Sequence, residues 1–343
     1  MASGFGFASL LFGFGVGTAL SAPRWRGEES DHFDGVRFFN PGAPEPHGVG
    51  GLLKWMRERD QGPWHDHPGE KPGPPPPARV DGGALRVTFV GHATMLVQMD
   101  GVNVLTDPIF SARARPVAFA GPKRVRPPGI RFEDLPHIDA VIVSHDHYDH
   151  MDLPTLKRLQ KEHHPRFVVP LGNAAILESA GILGAVELDW WQSDAVAPGV
   201  KVTATPSQHF SNRGAFDQGN ALWASYVIEG KSGRVYFAGD TGYGPHFKEI
   251  ARRLGAPRLA LLPIGAFRPR WFMGPVHMAP EEAVKAAKDL GAALSLGIHF
   301  GTFRLADDGE DEPAAQLAQT LANEPGVRFE VPQFGVGRDV PPS

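Results

Sequence analysis

The sequence predicts an α/β (α+β) protein built from two sheets covered by helices. Three observations lead there. Short β-rich runs arrive in series beyond residue 78, helical stretches break only some of that series, and metal-ligand residue types recur where apolar runs end. With 343 residues, 42% hydrophobic and 21% charged, the chain can bury a sizeable core as one large domain or two ordinary ones.

The elements follow in order. Residues 5–22 are apolar, uncharged and rich in small residues, and they close on Leu20-Ser21-Ala22, which resembles a signal-peptidase site. At roughly 18 residues the run stands at the short limit for a membrane-spanning helix, and its glycines weaken any helix. Residues 1–22 are therefore expected to be an export signal or an uncleaved anchor at the cell envelope; the alternative is a cytoplasmic protein with a packed apolar start. Residues 23–77 are rich in Pro, Gly, His and charge and end in Pro72-Gly73-Pro74-Pro75-Pro76-Pro77, which predicts an extended spacer. His32, His47, His65 and His67 within it read as solvent-facing side chains. Residues 78–343 then carry the ligand-bearing domain. Its first strands are 85–90, 95–99 and 102–105, the latter two joined by an Asp100-Gly101 turn. Further strands are expected at 140–143, 167–170, 200–204, 224–228, 235–238, 259–264 and 294–298. Asp152 is placed to cap a helix at 153–162, and Pro280 with two glutamates opens another over 279–290.

Composition removes several functions. A net charge of −4 argues against a nucleic-acid partner, although Lys123, Arg124 and Arg126 form a small basic patch that suits anionic lipid. The chain has no cysteine, which rules out disulfides, thiol catalysis and Cys-based zinc sites. It has 15 histidines, and they are informative.

Ser144-His145-Asp146-His147-Tyr148-Asp149-His150 directly follows the apolar run at 141–143. His145 and His147 alternate at a strand end, so both imidazoles can point to one side. Three imidazoles with neighbouring carboxylates suit zinc, which takes nitrogen and oxygen ligands. One cluster cannot close two metal sites, so partners are expected at other strand ends. His209, Asp240 and His299 each follow an apolar run and precede a turn. Taken singly, each has an ordinary reading as a capping carboxylate or a core histidine.

His-x-His-x-Asp-His, followed by single His, Asp and His at later strand ends, resembles the metallo-β-lactamase superfamily. That resemblance implies a four-layer αββα sandwich with two metals at one edge. It implies His145, His147 and His209 around a first Zn2+, Asp149, His150 and His299 around a second, and Asp240 bridging them. Asp107, in Leu105-Thr106-Asp107-Pro108, matches the early aspartate that orients a ligand. Phe89-Val90-Gly91-His92-Ala93-Thr94, Thr106 to Ser111, Gly121-Pro122-Lys123-Arg124, Pro263 to Ala266, Arg270-Trp271-Phe272-Met273 and His299-Phe300-Gly301-Thr302 narrow it. They are similar to the N-acylphosphatidylethanolamine phospholipase D group, as are Asp31 to Gly35 and Arg37 to Pro41 to its bacterial members. The likeness runs from Asp31 to Val336. By this resemblance Tyr148 and His277 face a phospholipid substrate, though each also reads as an ordinary packing or loop residue.

The implied reaction is phosphodiester hydrolysis to phosphatidic acid and an N-acylethanolamine. The nucleophile would be a hydroxide shared by two metals roughly 3.5–4 Å apart. Asp149 and Asp240 are the candidate catalytic carboxylates, and Trp271, Phe272 and Met273 would receive acyl chains. A membrane surface and a homodimer are the implied partners. Two alternatives stand: hydrolysis of another ester, such as a soluble phosphodiester or a lactone (as in L-ascorbate-6-phosphate lactonases), and a non-catalytic metal-holding envelope protein. Iron or manganese fits a similar ligand frame.

Overall fold

Alternation along the first strands builds two cores at once. In the computed structural model, which describes residues 21–114, 121–214 and 216–342, strand β1 (Leu85–Gly91) sends Leu85, Val87 and Phe89 to one side and Val90 to the other. β2 (Thr94–Met99) and β3 (Val102–Thr106) do the same: Val97 and Val104 face one core, Leu96 and Leu105 the second. In β4 (Ala140–Ile142) and β5 (Arg166–Pro170), Ile142 and Val168 face the first core while Val141 and Phe167 face the second. Strands buried on both faces explain why these runs read as almost continuously apolar.

The remaining strands are β6 (Val186–Leu188), β7 (Ser193–Ala197), β8 (Val200–Thr205), β9 (Ser225–Gly230), β10 (Gly233–Phe237), β11 (Leu259–Pro263), β12 (Ser295–Ile298), β13 (Phe329–Glu330) and β14 (Gly337–Asp339). They complete two seven-stranded sheets, ordered β14-β1-β2-β3-β4-β5-β6 and β13-β12-β11-β10-β9-β8-β7. The sheets meet across the large core that joins Val87, Val97 and Ile142 to Val202, Tyr226 and Leu261. On the outer face of the first sheet lie α2 (Leu153–His163) and α3 (Ala174–Ser179), through Leu156, Leu159, Ile176 and Leu177. The second is covered by α4 (His246–Leu254) and α6 (Pro280–Leu290), with α7 (Glu312–Leu321) against α6, while α1 (Val49–Arg57) packs through Trp55 on α5 (Arg270–Met273). The expected four-layer αββα sandwich is the observed fold.

Local expectations fare well inside the sheets. Asp100 (φ 52°) and Gly101 (φ 76°) both take the left-handed conformation that a two-residue hairpin turn between β2 and β3 requires. Asp152 stands at the N-terminus of α2, but its carboxylate accepts from Ser111 and the Thr155 hydroxyl rather than from the backbone amides of the helix.

The N-terminal segment is not a free spacer. Phe33 and Phe38 are buried with Leu222 and Trp223, and Gly73 N donates to Gly129 O at 2.7 Å. His32, expected to face solvent, is buried: its two ring nitrogens lie 2.6 Å from Asp31 Oδ1 and 2.8 Å from Asp189 Oδ1. Two carboxylates compensate the buried ring, which is why it tolerates the interior. The expected export or anchor segment lies, up to residue 20, outside the described residues. Among the described residues no helix is long and apolar enough to cross a membrane.

Candidate metal centre

Each ligand-type side chain sits where a strand gives way to a loop. His92 follows β1, Asp107 follows β3, the residues 145–150 follow β4, His209 follows β8, Asp240 follows β10 and His299 follows β12. Strands of both sheets run out at this edge, so loops distant in sequence converge there. His92 (φ 58°), Asp107 (φ 34°) and His299 (φ 61°) all adopt positive φ, an uncommon state for residues other than glycine. Such conformations concentrate at functional sites because the surrounding structure must hold them.

The convergence forms two adjoining groups. In one, the ring nitrogens of His145, His147 and His209 lie within 4.8 Å of one another: His147 Nδ1 is 2.8 Å from His145 Nε2 and 3.2 Å from His209 Nε2. In the other, His92, Asp149, His150 and His299 share the same spacing. Asp240 stands between them. Its Oδ2 is 3.1 Å from both His150 Nε2 and His299 Nε2, and 3.9 Å from His209 Nε2.

A supporting layer fixes the rings. Asp107 accepts from Ser144 N and Ser144 Oγ, both at 2.6 Å, and from the Nδ1–H of His150 at 2.6 Å. That leaves His150 Nε2 aimed at Asp240. His209 Nδ1 lies 3.0 Å from the carbonyl of Val276, which frees its Nε2 toward His147. Asn40, from the N-terminal segment, donates to His209 O at 2.7 Å and accepts from Trp223 Nε1 at 3.0 Å.

Charge separates the two groups. Burial holds His145 well below the usual imidazole range, and it drives His147 down to about 3 and His209 to about 4. Those rings are neutral, with lone pairs available. Burial also works against the charged form of His150, but Asp240, Asp149 and Asp107 outweigh it and raise that ring well above its ordinary value. For His299 burial is again opposed by Asp240 and Asp149, giving about 9. Burial would raise Asp149 and Asp240, yet the facing histidines hold both well below the carboxylate range.

The residues fit a bound metal. Among the described residues, His150 Nε2, His299 Nε2 and Asp240 Oδ1 are buried and have no hydrogen-bond partner, despite close neighbours. Buried polar atoms left this way need something to bind, and a divalent cation among nitrogen and carboxylate donors supplies it.

The sequence-predicted residues are therefore brought together, with two refinements. His277 Nδ1 lies 3.9 Å from Asp240 Oδ2, and its ring is 5.2 Å from that of His209, so it borders the centre. Burial holds it neutral. The Tyr148 hydroxyl donates to Arg213 O at 3.0 Å, with the Arg213 guanidinium 4.0 Å from its ring. Met273 is buried and Phe272 stacks on Trp55 at 5.0 Å, so this pair packs beneath a helix rather than lining an open mouth. One residue was missed: His92, whose Nε2 lies 2.9 Å from Asp149 Oδ2 and whose ring is 4.0 Å from that of His299. It lies in a segment already singled out, and its position between an apolar strand and a turn matched that of the other ligands.

The Beta-lactamase superfamily domain matches residues 102–300, more than half of the chain. This chain belongs to that superfamily. Within the superfamily it is 44% identical over 230 residues to the N-acyl-phosphatidylethanolamine-hydrolyzing phospholipase D 1 of Caenorhabditis elegans, a match covering 64% of each chain. It is 31% identical to the UPF0173 metal-dependent hydrolase MK1542 of Methanopyrus kandleri, over 72% of this chain and 100% of that one. The fold is shared with Igni18, a metallo hydrolase from Ignicoccus hospitalis, at a TM-score of 0.55 and 23% identity, covering 75% of this chain and 98% of Igni18. The match spans just under two thirds, 64%, of the nematode protein and of its mycobacterial relatives.

Proposed function

We propose that this chain is a metal-dependent hydrolase that cleaves the phosphodiester of an N-acylphosphatidylethanolamine-like phospholipid on the head-group side. The observation that carries the reading is Asp240 Oδ2, after β10, standing between two ligand groups assembled from the ends of four other strands. The 44% identity to the nematode phospholipase D supports the substrate class.

His145, His147 and His209 would hold one metal and Asp149, His150 and His299 the other, with Asp240 shared. Bound there, such a pair lowers the pKa of water toward neutrality and draws charge from a phosphoryl oxygen. The chain's own residues provide the rest. Asp107 fixes His150, and the Val276 carbonyl fixes His209, so neither ring reorients as substrate arrives. His277, neutral and beside Asp240, is placed to hydrogen-bond a phosphate oxygen. In the reaction the oxygen of water bonds to phosphorus and the bond to the ethanolamine oxygen breaks. That oxygen leaves with a proton from solvent, giving phosphatidic acid and an N-acylethanolamine.

The test is purified protein with its metals counted, incubated with N-acylphosphatidylethanolamine, phosphatidylethanolamine or bis(p-nitrophenyl) phosphate, with products identified by mass. About two metals per chain and release of N-acylethanolamine are expected. Cleavage of the soluble diester alone would move the substrate class elsewhere and leave the hydrolase reading intact.

A further inference from the structure

His209 stands near the start of a long connection. Between β8 and β9 the described residues from 206 to 224 form no helix or strand. Connections longer than about 12–15 residues without such structure are uncommon in compact domains. The His209 ring is fixed by the Val276 carbonyl at 3.0 Å, but it hangs from a peptide that no regular ladder holds.

The N-terminal segment supplies what the connection lacks. Residues 22–40 lie outside the matched superfamily domain, which begins at residue 102, yet they lace the loop from His209 to Trp223. Ala22 N donates to Asp217 Oδ2 at 2.6 Å, and Asn220 Nδ2 donates to Ala22 O at 2.9 Å. Trp25 N donates to Asn220 O at 3.0 Å and Phe38 N to Gly219 O at 2.8 Å. A β-carbon on Gly219, whose φ is 77°, would stand 2.8 Å from Phe38 O, so glycine is what lets the two backbones meet. The segment is itself anchored. Phe33 and Phe38 are buried with Trp223, and His32 sits between Asp31 and Asp189 with its ring stacked on Trp190 at 4.3 Å. It ends at Asn40, whose amide donates to His209 O at 2.7 Å and accepts from Trp223 Nε1 at 3.0 Å. Segment and loop together enclose a cavity of about 430 Å³, with Phe39 and Asn40 on one side, Phe210 and Gln218 on the other, and His209 in its wall.

We propose that residues 22–40 act as a strap that orders the His209 loop, with Asn40 the positioning residue that sets the His209 peptide for metal binding. The proposal rests on the metal-dependent reading of the centre and needs no particular substrate. Asn40 holds the backbone of His209 while Val276 holds its ring, so Nε2 is preset 3.2 Å from His147 Nδ1. A ligand fixed before the metal arrives loses less freedom when it binds. The contacts of Asn40 are with His209 and Trp223, not with Asp149, His150 or His299, so its influence falls on the first half of the centre.

The test compares the full chain with Asn40→Ala and with Asn40→Asp, which keeps an acceptor for Trp223 but has no donor for His209 O. Trp223 Nε1 also donates to Ser207 O at 2.9 Å, so both metal-free variants should melt close to the natural chain. Hydrogen exchange of the metal-free chains and chelator competition for each bound metal are then measured. Amides at 207–212 should exchange faster in both variants, with β10 to β12 protected as before. One metal should be held about tenfold more weakly, the lower end of what such supporting contacts contribute, and the other as in the natural chain. Unaltered exchange at 207–212 overturns the strap. Faster exchange with both metals held as tightly as before overturns the positioning role. So does equal weakening of both metals with exchange raised throughout, which is the mark of a loosened fold. The two readings fail separately: a natural chain that holds no metal overturns the hydrolase reading and leaves exchange to decide the strap. A natural chain with its metals, matched by both variants in exchange and affinity, overturns the strap alone.

Discussion

The two halves of the centre solve one problem in opposite ways. His145, His147 and His209 form a group with no carboxylate of its own, in which burial keeps each ring neutral. His150 and His299 instead face Asp149 and Asp240, and the four behave as two cations balanced against two anions. Without a metal, protons do the compensating in the second half, whereas the first half needs no compensation. A cation entering the first half displaces little. One entering the second must displace protons, and gains two carboxylates in return.

That contrast can be broken from the middle outward. Asp240 belongs to both halves, so Asp240→Ala should abolish turnover and reduce metal content in both, read by elemental analysis of purified protein. His147→Ala and Asp149→Ala should each abolish turnover while removing mainly one metal. If both variants lose both metals equally, the halves are not separable sites. Asp107→Ala strips His150 of the acceptor for its Nδ1–H, and loss of such a supporting contact typically weakens metal binding about 10–100-fold. The effect should fall on the second half and be seen in competition with a chelator. His92→Ala should be milder, at the lower end of that range of about 10–100-fold. Asp149 keeps its other partners, so an unchanged affinity would reduce His92 to a packing role.

How much of this was legible beforehand follows the degree of burial. Strands closed on both faces, such as β2 and β4, announce themselves as apolar runs. The four strands the sequence did not betray, β6, β7, β13 and β14, are the four ends of the two sheets. An edge strand packs on one side and is half wet, so its residues carry no strong pattern; Ser193–Ala197 has one buried side chain among five. The metal-ligand positions were legible because His and Asp directly after an apolar run are costly unless they meet a partner. His92 meets the same criterion, directly after the apolar run of β1, but the family resemblance assigns its ligand positions elsewhere and leaves it out. The burial of His32 had no local signal at all. Its partner Asp189 is 157 residues away, and only the packing of Phe33 and Phe38 on the Trp223 cluster brings the two together.

The sharpest form of the comparison is pH. In the metal-free protein His299 titrates near 9, above an unfolded value near 6.5, and His150 is raised as well. A group whose folded pKa is raised stabilises the fold while protonated. Its contribution is complete below about 6.5 and is lost as pH climbs through about 9. The metal-free chain should therefore melt lower at pH 9 than at pH 6.5. The rings of the first half, depressed in the fold from an unfolded value near 6.5, add only a small slope of the opposite sign at the low end of that window, as the unfolded rings lose their protons. Loading metal replaces the protons of the second half, so the loaded protein should lose the slope and release protons as it binds. Calorimetry in buffers of different ionisation enthalpy reads that release directly. His299→Gln should shrink the metal-free slope across this window and the double variant His150→Gln/His299→Gln should remove it, while His147→Gln should leave it in place. A slope that survives in the double variant would mean that the protons belong to groups elsewhere, and the two halves would then differ in composition but not in charge.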